Sequence, residues 1–116
     1  MTEREEMWAD FLAAVGYDYV EMADEWLRLS PAELSEKADD IAAANRMYLN
    51  AKYCVRDEDV PNLLELKHPL KFLADTWKEW VEGTVMEMQD AVSYAIDQDA
   101  LDDYERTDNS PSVRME

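Results

Sequence analysis

Apolar residues recur along this chain at three- and four-residue intervals and almost never alternate, the period of helices with one buried face. A first stripe runs through Met7, Trp8, Phe11, Leu12 and Val15. Thr2 is placed to cap it, and Glu3, Glu5 and Glu6 suit the positive end of its dipole. Gly16 marks an expected interruption, after which Tyr19, Met22, Ala23, Trp26 and Leu27 carry the helical spacing on to Leu29. Ser30-Pro31-Ala32-Glu33 reads as a capping box with proline at the first helical position. The helix it opens should bury Leu34, Ala38, Ile41, Ala42, Asn45, Tyr48 and Leu49, turn Glu36, Asp39 and Asp40 outward, and fade near Tyr53 or Cys54.

Arg56-Asp57-Glu58-Asp59 is a polar break, with Asp59 a candidate cap for a short helix burying Val60, Leu63, Leu64 and Leu66. Pro69 keeps His68 out of the helical region and starts a new helix, whose stripe is Leu70, Leu73, Trp77, Trp80 and Val81 and whose end falls at Gly83. The last helix is predicted from near Thr84, using Val85, Met88, Val92, Ala95 and Ile96, with an acidic continuation from Asp97 to Tyr104. The predicted fold is all-α: a small bundle of four to five helices with an acidic surface, one helical domain over residues 1–105 and a polar tail over 106–116.

Composition agrees with that pattern. The 116 residues include only two Gly and four Pro, while four Trp and six Tyr argue against disorder. The lone Cys54 excludes an internal disulfide, argues against a structural zinc site of the usual Cys/His kind, and fits a reducing compartment. The acidic N-terminal residues have the wrong sign for a signal or transit peptide, and no apolar run reaches the roughly 20 residues of a membrane span. A cytoplasmic location is expected.

Charge changes the picture more. The chain carries 28 carboxylates against 11 Lys and Arg, a formal -17. Residues 1–45 hold twelve acids and three bases, a net of -9; residues 79–116 hold eleven and two, again -9; residues 46–78 hold five and six, a net of +1. Such a protein is soluble and is steered toward basic surfaces. Direct nucleic-acid binding, which requires clustered cations, is disfavoured: Arg46, Lys52, Arg56, Lys67, Lys71 and Lys78 either share a side as a weakly basic patch or pair with Asp57, Asp59 and Asp75.

Enzyme signatures are nearly absent: one histidine, no nucleophile elbow, no phosphate-cradling Gly loop and no zinc-protease motif. His68 reads as a surface or capping residue. Asp57-Glu58-Asp59 and the Asp97, Asp99, Asp102, Asp103 run offer hard oxygen donors, but neither has the glycine and terminal glutamate of an EF-hand, and no metal or other cofactor is expected. The aromatic and methionine positions Trp8, Phe11, Trp26, Trp77, Met7, Met22, Met47, Met86 and Met88 fall in phase with the core. Trp80 and Tyr94 are the candidate aromatic anchors for a partner.

Rows of carboxylates on a helix can imitate a phosphate track. B-DNA carries a charge about every 1.7 Å, and a helix rises about 1.5 Å per residue. The segment 87–105 approaches such a density within a few-fold. Glu87, Asp90, Asp97, Asp99, Asp102 and Asp103 are the candidate partner contacts, with Asp39 and Asp40 as a second patch.

From Tyr19 to Asp97 the chain also presents an ordered string of features. These are Tyr19-x-x-Met22, the run Trp26 to Leu34, Lys37-Ala38-Asp39-Asp40-Ile41, Asp59 to Leu64, His68-Pro69-Leu70 with Trp80, and Met88 to Ala95. The string resembles a family of small bacterial proteins, domain of unknown function 3848, with His68 where members tend to carry Asn and Ala91-Val92 where they tend to carry Thr-Ile. That family brings no catalytic residues; the resemblance implies a setting in phages and mobile elements, beside antirestriction-type genes. The resulting expectation is a non-enzymatic acidic module that binds a basic protein surface, such as that of a nuclease, and inhibits a nucleic-acid-binding defence enzyme of the anti-CRISPR or antirestriction kind. The alternative is a helical adaptor or homodimer associating through an apolar patch, with the charge serving solubility.

Overall fold

The computed structural model describes residues 2–81 and 87–106. Among the described residues six helices follow one another: α1 Glu3–Trp26, α2 Pro31–Glu36, α3 Ala38–Asn50, α4 Val60–Leu64, α5 Pro69–Thr76 and α6 Met88–Asp97. Short 3-10 turns at Asp57–Asp59 and Ala100–Asp103 precede α4 and follow α6, and α5 runs on into a π-helical turn, Trp77–Val81. There is no strand among the described residues, only an isolated bridge between Leu66 and Arg106. The all-α fold read from the sequence is the fold observed.

Helix α1 is one uninterrupted rod of 24 residues. Its start is set by a reciprocal capping box: the Thr2 hydroxyl accepts from the Glu5 amide at 3.1 Å, and the Glu5 carboxylate accepts from the Thr2 amide at 2.9 Å. Gly16 does not break it, contrary to the sequence expectation; the flanking residues hold the helical hydrogen bonds, and a single mid-helix glycine costs only about 0.5–1 kcal/mol. Of its predicted stripe, Phe11 and Val15 are buried, whereas Leu12 and Leu27 are exposed.

The capping box at Ser30 and Glu33 forms as read, but the helix it opens stops after one and a half turns. Lys37 (φ -98°, ψ 9°) separates α2 from α3, so the predicted single helix to Tyr53 is two. The break rotates the buried face. Ala43, Ala44 and Met47 are buried, while Ala42, Tyr48 and Leu49 are exposed. The physical reason is close approach: Ala43 and Ala44 of α3 meet Ala74 of α5, where only small side chains fit between the backbones. The larger Tyr48 is moved to the edge, where it stacks on Tyr19 of α1 with ring centroids 4.1 Å apart.

Helix α5 lies at the centre, packing against α1, α3 and α6. Pro69, Leu70, Phe72, Leu73, Ala74 and Thr76 are all buried, so it lacks the single apolar stripe predicted for it. The main core joins Phe11 and Val15, Met47, Val60 and Leu63, Leu70, Phe72 and Leu73, and Val92 with Ala95. Asp59, read as a cap for α4, makes no capping bond; its buried carboxylate accepts from the Ser93 hydroxyl at 2.8 Å, tying the start of α4 to α6.

The last acidic stretch is also broken. Helix α6 ends at Asp97, and Asp99 takes a left-handed conformation (φ 61°) before the 3-10 turn. The predicted continuous acidic helix through residue 104 is therefore two elements separated by the turn at Asp99. Arg106, placed by pattern at the head of a tail, is folded in: its guanidinium donates to Glu65 at 2.8 Å and to Asp102 at 3.2 Å. The predicted stop at Gly83, the start at Thr84, the roles of Val85 and Met86, the burial of Val81 and the tail beyond Arg106 lie outside the described residues.

Candidate functional site

The candidate site is a cleft of about 570 Å³ between α1, α3 and α5, with Asp18 and His68 at one end. Asp18 sits in phase with Phe11, Val15 and Met22 on the inner stripe of α1 and is 4 % exposed. Its two oxygens do different work. Oδ2 accepts the Leu70 amide at 3.0 Å, and Oδ1 lies 3.0 Å from His68 Nδ1.

That arrangement answers a local problem in α5. His68 occupies the N-cap position but its side chain makes no capping bond, and Pro69 has no amide hydrogen to satisfy. The first free amide, Leu70, is instead capped by a carboxylate reaching across from α1. Burial pushes the Asp18 carboxyl above its ordinary range, outweighing the hydrogen bonds from His68 and Leu70 that favour its charge. Glu21, one turn along α1, brings a carboxylate oxygen to 3.9 Å from the same imidazole nitrogen. The ligand atoms of Asp18, Glu21 and His68 all lie within 4.8 Å of one another, so among the described residues this is the group of side chains that could hold a metal ion.

The walls of the cleft are charged on both sides. Lys71 pairs with Asp75 at 3.2 Å, and Lys78 pairs with Asp40 across from α5 to α3. A second cleft, of about 450 Å³, shares His68, Lys71 and Asp75 and adds Asp103 and Tyr104. The Tyr104 hydroxyl donates to Asp75 at 2.6 Å; burial, then this bond to a carboxylate, raises its pKa.

The sequence-predicted contact residues Glu87, Asp90, Asp97, Asp99, Asp102 and Asp103, with Asp39 and Asp40, are all exposed. Three of them are partly neutralised: Asp90 by Arg56 at 3.0 Å, Asp102 by Arg106, and Asp40 by Lys78. Helices α1 and α6, which carry much of the two acidic ends, each pack on α5. Trp80 and Tyr94 meet each other edge to face at 5.1 Å, Trp80 half-buried and Tyr94 40 % exposed. Of the acidic clusters weighed for metal, Asp57 instead accepts from Arg4 and Trp8, and Asp59 from Ser93.

The Asp18–His68 pair, fifty residues apart in sequence, forms no local motif. One signal for it was present: a carboxylate in phase on an apolar helical stripe, together with a His-Pro helix start that has no local capping side chain. No protein-family model, curated protein or solved structure matches the chain, so its site is read from its own geometry.

Proposed function

We propose that this chain is a non-enzymatic acidic module that binds a basic protein surface, acting in the cytoplasm on a nucleic-acid-binding defence enzyme of the anti-CRISPR or antirestriction type. The observation that supports it is the exposure of all six carboxylates from Glu87 to Asp103 on a chain of formal charge -17. Because α6 stops at Asp97 and the chain turns at Asp99, these groups do not line one continuous helix. Affinity for such a groove arises mainly from charge and falls as salt screens it. The test is capture of targets from a host lysate at low and high salt, followed by titration of the purified target. Charge reversal at Asp99, Asp102 and Asp103 should weaken binding severalfold or more, and binding indifferent to both salt and reversal overturns the reading.

A second reading is favoured by one specific observation. Tyr17, Val20 and Leu27 are 75, 65 and 86 % exposed, and their spacing sets them along one outer side of α1. An adaptor or homodimer would associate through that side, in which case Val20→Lys abolishes association while charge reversal at the α6 end leaves it intact.

A further inference from the structure

The Asp18, Glu21 and His68 donors form a mixed nitrogen and oxygen set that the acidic-groove reading does not use. Two features make it a built site rather than a chance meeting of surface acids. First, the donors are held by the fold. Asp18 and Glu21 are one turn apart on a 24-residue helix, and His68 is set beside them by the proline that opens α5. Second, the Asp18 carboxylate is oriented from behind. The Leu70 amide holds Oδ2, which leaves Oδ1 aimed at the imidazole, the arrangement in which an outer hydrogen bond positions a metal ligand.

The spacing fits an ion. Donors about 2.0–2.2 Å from a common centre stand about 2.8–3.1 Å apart at right angles and about 3.3–3.6 Å apart at tetrahedral ones. His68 Nδ1 is 3.0 Å from Asp18 Oδ1 and 3.9 Å from Glu21 Oε1, and the Glu21 side chain, 68 % exposed, is free to close the longer gap. Charge favours a cation as well. Of the three lysines that line the cleft, Lys71 and Lys78 are engaged by Asp75 and Asp40, while Glu25 adds a further carboxylate. An imidazole among the donors selects a transition ion over Mg²⁺ or Ca²⁺, which prefer oxygen alone.

We propose that Asp18, Glu21 and His68 bind one divalent transition-metal ion of the Zn²⁺ class. Three protein donors leave the remaining coordination positions to water or to a ligand in the cleft. Binding replaces the Asp18–His68 hydrogen bond with ligation through the Nδ1 lone pair, the ring hydrogen then standing on Nε2; the Leu70 contact stays.

The chain has a single histidine, which makes the test direct. With any histidine tag removed, Zn²⁺ is titrated into the full chain by calorimetry, while the imidazole nitrogens of His68 are followed by NMR. One equivalent should bind, with a shift of the Nδ1 resonance saturating at that equivalent. Glu21→Gln, on an exposed side chain that leaves folding intact by circular dichroism, should lose about tenfold or more in affinity. His68→Gln should lose more, and Asp97→Asn with Asp99→Asn should change nothing. Equal affinity in Glu21→Gln and the parent chain overturns the assignment. So does binding of several weak equivalents without a His68 shift, or loss of binding in the Asp97 and Asp99 variant. None of these outcomes bears on partner binding at the α6 end.

Discussion

Asp18 on α1 accepts the Leu70 amide at 3.0 Å, capping α5 from 52 residues away in sequence. Removing the carboxylate leaves that buried amide without its acceptor, so Asp18→Ala should cost about 1–3 kcal/mol in urea unfolding. Asp18→Asn keeps an acceptor and should cost less. Because burial raises the native pKa of Asp18 above its ordinary 3.8, its contribution is complete below that value and lost as pH rises through the raised one. The stability of Asp18→Asn relative to the parent chain should therefore improve as pH climbs through that window. A difference that stays flat would show that burial and the hydrogen bonds cancel, and one that moves the other way that the hydrogen bonds outweigh burial.

Gly16 lies inside α1, and a Cβ built on it meets nothing within 4 Å. Gly16→Ala should therefore stabilise the fold by about 0.5–1 kcal/mol through reduced backbone freedom in the unfolded chain. A thermal melt that rises with no change in helical signal would agree; a fall would mean that the helix needs the bare backbone there.

Ala43 has no exposed surface at the crossing of α3 and α5. Ala43→Leu forces the two backbones apart and should cost about 1–3 kcal/mol by denaturant unfolding. The same change at Ala42, on the exposed side, should be close to neutral, and equal costs at the two positions would contradict the observed face of α3.

Cys54 is fully buried, and burial pushes its thiol up to about 12. A free thiol titrates near about 8.5, so at about pH 8 Cys54 should resist a thiol reagent in the native chain and react at once in denaturant. Rapid native labelling would show that the segment after α3 opens locally.

Asp57 is held below the usual carboxylate range by the hydrogen bond from Arg4, then by that from Trp8. Its stabilising effect is present above about pH 3.8, the unfolded value, and is lost as pH falls through the lowered native one. The stability gap between the parent chain and Asp57→Asn, measured by thermal melts across the acid range, should be widest near neutrality and close in that window.

Much of the architecture was legible in the chain because it depends on groups within one turn of each other. The caps at Thr2 and Ser30 and the proline starts at Pro31 and Pro69 lie where local chemistry puts them. The faces were less legible. An alanine-rich segment such as 38–44 has no dominant side chain to mark its inside, so the partner helix decides, and Ala74 admitted Ala43 and Ala44. The acidic row from 87 to 104 read as one helix because charge pattern carries no signal for the left-handed turn at Asp99. His68 read as an isolated histidine because its partner sits fifty residues away on another helix.

By itself, then, the sequence determined an all-α chain, the starts of its principal helices and a net charge that only a cationic partner complements. Those properties follow from hydrogen bonds and dipoles spanning a few residues and from simple charge counting. Tertiary structure decided which sides of α3 and α5 are buried, where the acidic end bends, and that Asp18, Glu21 and His68 converge. Convergence of that kind requires the chain to close long loops, and it is the packing of α1 on α5 that supplies the energy and sets the distance.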